Sequence, residues 1–397
     1  MAKKANERLE FFLLAVISDR LHGAWPNFLR GLLKGLSKLY ESIMDLRLRG
    51  YEHRIWRAKN LGCQVISIGN LTVGGTGKTP VVEVFSRALQ RNGRKVAILS
   101  RGYKKKERSF GEKLKDFLTF NTPQQQPPRV VSDGKRLLLD SAEGGDEPYM
   151  LASNLPDVCV LVDKDRVKAG RYAISKLGCD TLILDDGFQY LKLQHRVDIV
   201  LVDRNNPWDN GYVLPRGLLR ESAKHLRRAS FVFITKSHGD GSPELRKEIR
   251  RLNAKAEIAE CRHTPSCLRE VYTGETKGLE FLNGKRVAAV SGIAAPRGFE
   301  ESLERLGAEV AWRKRFADHH RYEGPEILDV INEAKERGAE LIVTTEKDAV
   351  RFPKIERRDV PAYFLRIEIE LLSGEESFHD LIARICFLPE GAAAAGE

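Results

Sequence analysis

Residues 64–80 read Gln-Val-Ile-Ser-Ile-Gly-Asn-Leu-Thr-Val-Gly-Gly-Thr-Gly-Lys-Thr-Pro, and the rest of the chain is organised around this stretch. The apolar run at 65–68 predicts a buried strand, and the pattern after Thr79 predicts a helix. Glycines between a strand and a helix let backbone N–H groups approach a phosphate, and the helix N-terminus adds positive potential. The stretch therefore predicts a phosphate-binding loop; the plainer interpretation is a glycine-rich turn with an incidental lysine.

The loop supplies a set of candidate ligands for a nucleoside triphosphate. Lys78 can reach the β- and γ-phosphates, and the Thr79 hydroxyl can ligate Mg²⁺. The pattern departs from G-x-x-x-x-G-K-[ST] at Thr72, where glycine is expected. The candidate ATP-binding residues are Thr72, Val73, Gly74, Gly75, Thr76, Gly77, Lys78 and Thr79.

Composition is that of an ordinary globular protein. The 397 residues, 42% apolar and 30% charged, allow two or three domains. The six cysteines are scattered without a C-x-x-C pair, which favours structural thiols in a reducing cytosol. We find no secretory signal and no run of the roughly 20 apolar residues that a membrane span needs. The sequence therefore predicts a protein that does not cross a bilayer. It contains no pattern that indicates an oligomeric state.

The net charge of +11 is concentrated near the N-terminus. Residues 1–60 hold twelve Lys or Arg and six Asp or Glu, and residues 27–49 show apolar residues at helical spacing with basic flanks. Such a helix suits an anionic membrane surface, although a helix packed on the protein's own core has the same pattern. The basic residues do not alternate with stacking aromatics, so we expect no nucleic-acid partner.

A second motif follows an apolar strand at 181–184. Its tip carries Asp185 and Asp186, followed by Gly187, Phe188 and Gln189. A carboxylate at the end of a buried strand, downstream of a phosphate loop, is typical of a site that binds Mg²⁺ directly or through water. Many strand ends carry aspartate without binding a metal, so this motif predicts a metal site only in combination with the phosphate loop.

Two further acid and base candidates lie elsewhere. Asp146 and Glu147 precede Pro148 and an apolar helical run, a position also typical of a plain helix N-terminus. His319 lies beside Asp318 and His320 between a predicted strand and a predicted helix. A histidine there can shuttle protons, whereas two adjacent histidines without a third ligand do not predict a metal site.

Strands and helices alternate along most of the chain, which predicts an α/β fold with a mostly parallel sheet covered by helices. We divide the chain into an N-terminal basic amphipathic segment (1–60), a P-loop core (61–255), a second, smaller α/β subdomain with connecting strands (256–390) and a disordered tail (391–397). The first segment contains the amphipathic helix.

Together these motifs resemble the tetraacyldisaccharide 4′-kinase family of P-loop kinases, which acts in lipid A biosynthesis. The resemblance covers nearly the whole chain and includes the family's own substitution at Thr72. The matching segments are residues 69–80, 100–103, 145–148, 185–189, 214–221, 318–320 and 344–348. Tyr190 departs from the family pattern, which usually has histidine there.

The resemblance implies transfer of the ATP γ-phosphate, with Mg²⁺, to the 4′-hydroxyl of an acylated glucosamine disaccharide 1-phosphate. It implies that Asp146 and His319 act as a dyad on that hydroxyl, and that Thr79, Asp185 and Asp186 bind the metal. It also implies contacts of phosphate or substrate with Arg166, Arg220 and Gln189. The N-terminal helix is expected to reach lipid at the cytoplasmic face of the inner membrane.

A different function class remains open from the residues. A GTP-dependent switch or metal-delivery protein uses the same loop, and guanine selection usually needs an Asn/Thr-Lys-x-Asp segment. Residues 233–238 read Phe-Ile-Thr-Lys-Ser-His, so His238 stands where the acid is required. A nucleic-acid-stimulated ATPase is the third class, motivated by the net charge alone.

Overall fold

The computed structural model describes residue 12 and residues 15–102, 126–357 and 359–387. The helices are α1 Ala24–Glu52, α2 Lys78–Arg91, α3 Ser141–Gly144, α4 Asp146–Asn154, α5 Arg166–Leu177, α6 Pro243–Leu252, α7 Pro296–Arg305, α8 Gly324–Glu336, α9 Glu346–Ala349 and α10 Glu375–Phe387. The strands are β1 Gln64–Asn70, β2 Val96–Ser100, β3 Arg129–Asp133, β4 Cys159–Val162, β5 Thr181–Asp185, β6 Val197–Asp203, β7 Phe231–Thr235, β8 Glu257–Glu270, β9 Thr276–Lys277, β10 Arg286–Ser291, β11 Glu309–Arg315, β12 Leu341–Thr345 and β13 Ala362–Ser373.

The chain forms two compact units, and each is assembled from separate segments. The first unit comprises Met1–Val96, Cys179–Arg262 and Leu371–Glu397, and the second comprises Ala97–Gly178 and His263–Glu370. The division that we predict from the sequence, at residues 60 and 255, concerns contiguous domains and stays a prediction. The predicted tail at 391–397 lies outside the described residues.

In the first unit a parallel sheet supports the phosphate loop. β1 lies between β5 and β6, and β7 and β8 continue the sheet beyond β6, all parallel. Every residue of β1, β5 and β7 is buried, as expected of a parallel sheet covered on both faces. On one face Phe85 of α2 packs edge-on against Phe233 and against Phe378 of α10. The carboxyl ends of the strands therefore meet at one well-packed edge.

Helix α1 both packs on this unit and exposes an apolar surface. The Ser37 hydroxyl donates to the Val213 carbonyl at 2.7 Å, and Tyr40 packs against the apolar core. The opposite side carries an exposed apolar stripe at i, i+3 and i+4 spacing, with side chains 45–67% exposed. We call these residues the α1 stripe: Trp25, Phe28, Leu32, Leu36, Leu39, Ile43 and Leu46. Among the described residues, none of the helices combines the length and hydropathy that crossing a bilayer requires.

The second unit has its own strands and cores. β10, β11, β12 and β13 pair in parallel, in the order β11–β10–β12–β13. β2 pairs with β4 in parallel, and β3 pairs with β4 antiparallel. Apolar side chains from α7 pack on one face of β10 and β12, and those from α8 pack on the other. The predicted α/β class with mostly parallel pairing is confirmed. Strand β3, and the short β9 that pairs with β8, are antiparallel exceptions that the sequence pattern did not indicate.

Candidate active site

The phosphate loop joins β1 to α2 through a left-handed turn. Gly77 is the N-cap residue of α2 with φ 79°, a conformation in which a Cβ atom would be strained. Helix α2 begins at Lys78, so its free N–H groups open onto the loop. This is the strand–loop–helix arrangement that the sequence predicts for a phosphate site.

The structure explains why threonine can stand at position 72. Thr72 forms an isolated antiparallel bridge with Leu219, and the Val73 N–H donates to the Leu218 carbonyl at 2.7 Å. The backbone at Thr72 is therefore paired and extended, a conformation that does not need glycine. The residues after β1 are bonded to the loop at 214–221, which carries Arg220, one of the predicted phosphate or substrate contacts.

Charges converge at the entrance of the loop. The Lys78 ammonium lies 3.0 Å from Oδ1 of Asp186, and Arg220 donates to Oδ2 of Asp186 at 2.6 Å. Lys78 also donates to the Asn70 side-chain oxygen at 3.1 Å. Burial on its own raises the pKa of Asp186, but Lys78 and Arg220 outweigh it and hold that pKa below the ordinary value. Three predicted site residues thus form one cluster with a charged carboxylate at its centre.

Close packing positions the carboxylate segment. Asp186 has φ 56°, and the N–H of Gly187 donates to the Ile68 carbonyl. A Cβ atom at Gly69 would lie 2.8 Å from Cβ of Phe188 and 2.9 Å from its backbone nitrogen. Gly69 is therefore required for the direct contact between the end of β1 and the Asp-Asp segment.

The donors that could hold Mg²⁺ are oxygens. Thr79 and Asp185 are buried, at the start of α2 and at the end of β5, and Asp186 follows directly. Hydroxyl and carboxylate oxygens are the ligands that Mg²⁺ prefers, and this ion usually completes its shell with water and substrate phosphates. Among the described residues no group of three or more His, Cys, Asp and Glu side chains forms a metal cluster. The residues present fit a magnesium ion that is shared with a phosphate substrate.

Thr235 and Lys236, which are not among the predicted site residues, donate hydrogen bonds to backbone carbonyls of the loop. The Thr235 hydroxyl at the end of β7 donates to the Thr76 carbonyl at 3.1 Å. Lys236, with φ 57°, donates to the Gly75 carbonyl at 3.4 Å and pairs with Asp203 at 2.5 Å. These two bonds fix the backbone of the loop at Gly75 and Thr76. The signal in the sequence is the segment 233–238, whose Thr-Lys pair resembles part of a guanine-selecting motif but here bonds to the phosphate loop.

Gln189 connects the loop to α1. Its side chain donates to the Asn70 carbonyl at 3.1 Å, and its own carbonyl accepts from Arg47 of α1 at 3.1 Å. The neighbouring Tyr190 closes the turn, because its N–H donates to the Gly187 carbonyl at 2.7 Å. Gln189 is thus bonded to the end of β1, next to Lys78.

The second unit brings Asp146 and His319 together. Asp146 is the first residue of α4, and its side-chain oxygens accept from Arg321 and Arg351. His319 Nδ1 lies 3.7 Å from Oδ2 of Asp146, and the side chains are 26% and 14% exposed. The first turn of α4 also favours a carboxylate, so support of the helix and a role in the site are compatible for this aspartate. The pair that the sequence places 173 positions apart (319 − 146) is adjacent in the fold.

Arg351 lies between the two, and sequence reasoning missed it. Its Nε donates to Oδ2 of Asp146 at 2.8 Å, and its Nη2 lies 3.1 Å from His319 Nδ1. Arg321 adds a hydrogen bond of 3.2 Å to Oδ1 of Asp146. Arg351 follows α9, three positions after Asp348, and nothing in its local sequence marks it as part of the site.

Arg166 was predicted to contact phosphate or substrate. It is the first residue of α5 in the second unit and is buried, 4% exposed. Asp165, directly before it, caps the helix by accepting from the N–H groups of Val167 and Lys168. The role of Arg166 stays a prediction, as do the roles of the other site residues.

The parallel sheet, the glycine-rich loop on a helix N-terminus and the strand-end carboxylate define a P-loop nucleotide-binding protein. A sequence model of the tetraacyldisaccharide-1-P 4′-kinase (LpxK) family matches residues 29–386. The chain belongs to this family.

Individual relatives agree with this assignment. A tetraacyldisaccharide 4′-kinase of Syntrophus aciditrophicus (strain SB) is 38% identical over 360 residues, covering 88% of this chain and 91% of that protein. One of Anaeromyxobacter sp. (strain K) is 43% identical over 341 residues, 83% of this chain and 84% of that protein. The crystal structure of "apo" form LpxK from Aquifex aeolicus in complex with ATP has a TM-score of 0.71 and 31% identity, over 90% of this chain and 100% of that one. The resemblance drawn from the motifs is confirmed, and the GTP-dependent alternative is not favoured.

Proposed function

We propose that the protein transfers the γ-phosphoryl group of ATP to the 4′-hydroxyl of a tetraacyldisaccharide 1-phosphate, a reaction of lipid A biosynthesis. The observation that carries the proposal is the cluster of Lys78, Asp186 and Arg220 at the mouth of the loop, in a chain of this family. ATP in the Aquifex relative supports ATP as the donor. The kinase class gives a role to the phosphate loop, to the Asp185–Asp186 segment and to the Asp146–His319 pair.

Phosphate binding uses the first unit. The N–H groups of residues 74–77 and the Lys78 ammonium bind the β- and γ-phosphates. Asp186 holds Lys78 and Arg220 side by side, so the two cations are already placed when the triphosphate arrives. We propose Arg166 as a further phosphate ligand and Gln189 as a substrate-orienting residue. Preorganised cations of this kind stabilise the charge that spreads over the phosphoryl oxygens in the transition state.

The metal in this proposal is Mg²⁺, held by the Thr79 hydroxyl and the carboxylates of Asp185 and Asp186. When bound, the ion neutralises charge on the transferring phosphoryl group. The protein's part is to keep Asp186 ionised, which Lys78 and Arg220 do by lowering its pKa against the effect of burial.

The acceptor hydroxyl is activated by the Asp146–His319 pair. A sugar hydroxyl is a weak nucleophile, and its attack is assisted by a side chain that takes its proton. Both side chains are partly exposed and adjacent, which leaves them accessible to an acceptor. In the proposed mechanism the two side chains act as one unit that receives the hydroxyl proton.

We further propose that the α1 stripe lies on the cytoplasmic face of the inner membrane. Its exposed aromatic and aliphatic side chains, beside exposed basic residues such as Lys34 and Lys38, suit an anionic bilayer surface. An acylated substrate resides in such a membrane, so the enzyme reaches it without extracting it first.

The decisive experiment incubates the purified protein with Mg-ATP and the acylated disaccharide 1-phosphate and weighs the lipid by mass spectrometry. We expect the mass of one added phosphoryl group, ADP as co-product and little product with GTP. Lys78→Ala should abolish the product, while Lys176→Ala, at an exposed lysine of α5, should not. A wild-type protein that consumes ATP without phosphorylating the lipid, or prefers GTP, would contradict the proposed function.

A further inference from the structure

The guanidinium of Arg351 contacts both members of the Asp146–His319 pair. Nε donates to Oδ2 of Asp146 at 2.8 Å, and Nη2 lies 3.1 Å from Nδ1 of His319, closer than the 3.7 Å between that nitrogen and the carboxylate. The direct dyad bond is therefore replaced, in this state, by a bridge through one planar cation. Two donors in fixed geometry can orient two acceptors at once, which a lysine ammonium on a flexible stem does less well.

Chemistry decides how the imidazole is protonated in this bridge. A guanidinium has N–H donors and no acceptor, so the His319 nitrogen that faces it must be the acceptor. An accepting Nδ1 carries no proton, and in a neutral imidazole the proton then lies on Nε2. The contact thus selects one of the two neutral tautomers of His319.

Arg351 is itself held rigidly from behind. Its side chain is 1% exposed, and Nη1 lies 3.3 Å from Oδ1 of Asp348, a side chain that is fully buried. Asp348 accepts in turn from the Gly292 N–H, the Tyr322 hydroxyl and the Thr345 hydroxyl, at 3.0, 3.0 and 2.6 Å. The His319 N–H donates to the Gly292 carbonyl at 3.1 Å, so the same glycine connects to both sides of the site. The bridge has little freedom to adjust.

We propose that Arg351 is the positioning residue of the site: it holds Asp146 and His319 in register and keeps His319 in the Nε2–H tautomer in the resting protein. The inference rests on the proposed function for its catalytic consequence, but not for the tautomer. Arg351 acts through the two side chains that it orients, and it is not assigned contact with the substrate.

Steady-state kinetics of Arg351→Lys test the positioning role. Lysine keeps a charge beside Asp348 but cannot orient both acceptors, so we expect kcat to fall about 10- to 100-fold, the effect of small misplacement of a reacting group, with KM for ATP unchanged. The matched control is Arg366→Lys, at a second buried arginine of this unit, which pairs with Glu346; its kcat should stay near that of wild type. A full kcat in folded Arg351→Lys, or an equal loss in both variants, would overturn the inference.

A double-mutant cycle separates positioning from general structural support. In a His319→Ala background the Arg351→Lys replacement should cost less in kcat than it does in the wild type, because the partner that it orients is gone. An equal cost in both backgrounds would mean that Arg351 acts elsewhere.

Nitrogen NMR of histidine-labelled protein tests the tautomer without any activity measurement. We expect the His319 signals, assigned from a His319→Gln spectrum, to show a protonated Nε2 and an unprotonated Nδ1 in the wild-type protein near neutral pH. A protonated Nδ1 would overturn the inference even if the kinase reaction is confirmed. Conversely, an inactive protein with the expected spectrum would refute the proposed function and leave the bridge intact.

Discussion

Asp186 is the residue whose charge holds the phosphate-site cations in place. Its pKa lies below the ordinary value of 3.8 because attraction to Lys78 and Arg220 outweighs the effect of burial. A depressed pKa in the folded state contributes stability that is present above the ordinary value and is lost as pH falls through the folded value. The difference in unfolding free energy between wild type and Asp186→Asn should therefore be constant above about pH 5 and shrink below 3.8.

Urea unfolding at a series of pH values measures this difference. Glu336→Gln, at an exposed carboxylate of α8, is the control for replacing a carboxylate by an amide at the protein surface. If the wild type remained more stable than Asp186→Asn by the same free energy at about pH 3, the ion pairs with Lys78 and Arg220 would not be what lowers the pKa of Asp186.

The Asp146 and His319 side chains should behave as one functional unit. We expect each alanine variant to lower kcat, and the double variant to be little worse than the more damaging single one, because either loss already removes proton transfer from the hydroxyl. Single-turnover phosphorylation of the lipid measures this. Losses that multiply in the double variant would indicate two independent roles.

For individual residues, the sequence predicted members of the candidate site where they belong to a short local motif. Lys78, Asp186 and Asp146 all lie in short motifs, and the structure places each in a charged cluster. Arg351 could not be found in the same way, because its contacts to Asp146 and His319 form only in the folded protein. Arg351 and Asp146 are more than 200 positions apart in the sequence. Only the fold joins these segments.

Among the elements, β1 and its loop depend on two glycines for different reasons. Gly69→Ala would place Cβ 2.8 Å from Cβ of Phe188, so we expect it to destabilise the protein by about 1–3 kcal/mol, the usual cost of overpacking a buried site. At Gly75 a Cβ meets nothing within 4 Å, so Gly75→Ala should leave the unfolding free energy nearly unchanged and weaken ATP binding instead.

Chemical denaturation and ATP titration distinguish the two variants. The two variants serve as controls for each other, because Gly69 and Gly75 lie within the same strand–loop segment. Equal stability of Gly69→Ala and wild type would show that β1 and the Asp-Asp segment can separate without cost. Unchanged ATP affinity of Gly75→Ala would argue against close approach of the loop to a phosphate.

Most elements followed from hydrophobic pattern, and the misses have identifiable causes. Helix α10 buries Phe378, Leu381, Ile382 and Ile385 at helical spacing, so its signal was available and was overlooked. The antiparallel strand β3 is different: a five-residue segment after a glutamine- and proline-rich stretch carries no local sign of its partner or direction. Strand direction is decided by connections that a local pattern does not contain.

For the whole molecule, the α1 stripe predicts binding to a membrane surface. Replacing Leu32 and Leu39 with glutamate puts charges into the middle of the stripe, where the side chains are 52% and 59% exposed, so the fold should survive. We expect weaker association with vesicles of anionic lipid, measured by sedimentation. Leu137→Glu, an exposed leucine in the other unit, is the control and should bind like wild type. Unchanged binding of the α1 variant would remove the stripe from membrane contact.

The arrangement of the chain into two units was less predictable than its elements. A linear reading divides a sequence at composition shifts, whereas each compact unit here is built from separated segments. Strand β8 begins in one unit and ends in the other, and no change of composition marks that point. Which segments cluster depends on strand pairing and packing, and a single sequence contains this information only indirectly.

The bonds from Arg47 through Gln189 and Asn70 to Lys78 connect α1 directly with the nucleotide loop. A protein that settles on a bilayer by this helix therefore carries its loop at a set height above the headgroups, and its search for the acceptor becomes two-dimensional. Turnover should then follow the mole fraction of acceptor within the membrane plane. Diluting that plane with inert phospholipid should slow the reaction even when the total amount of acceptor in the tube is constant.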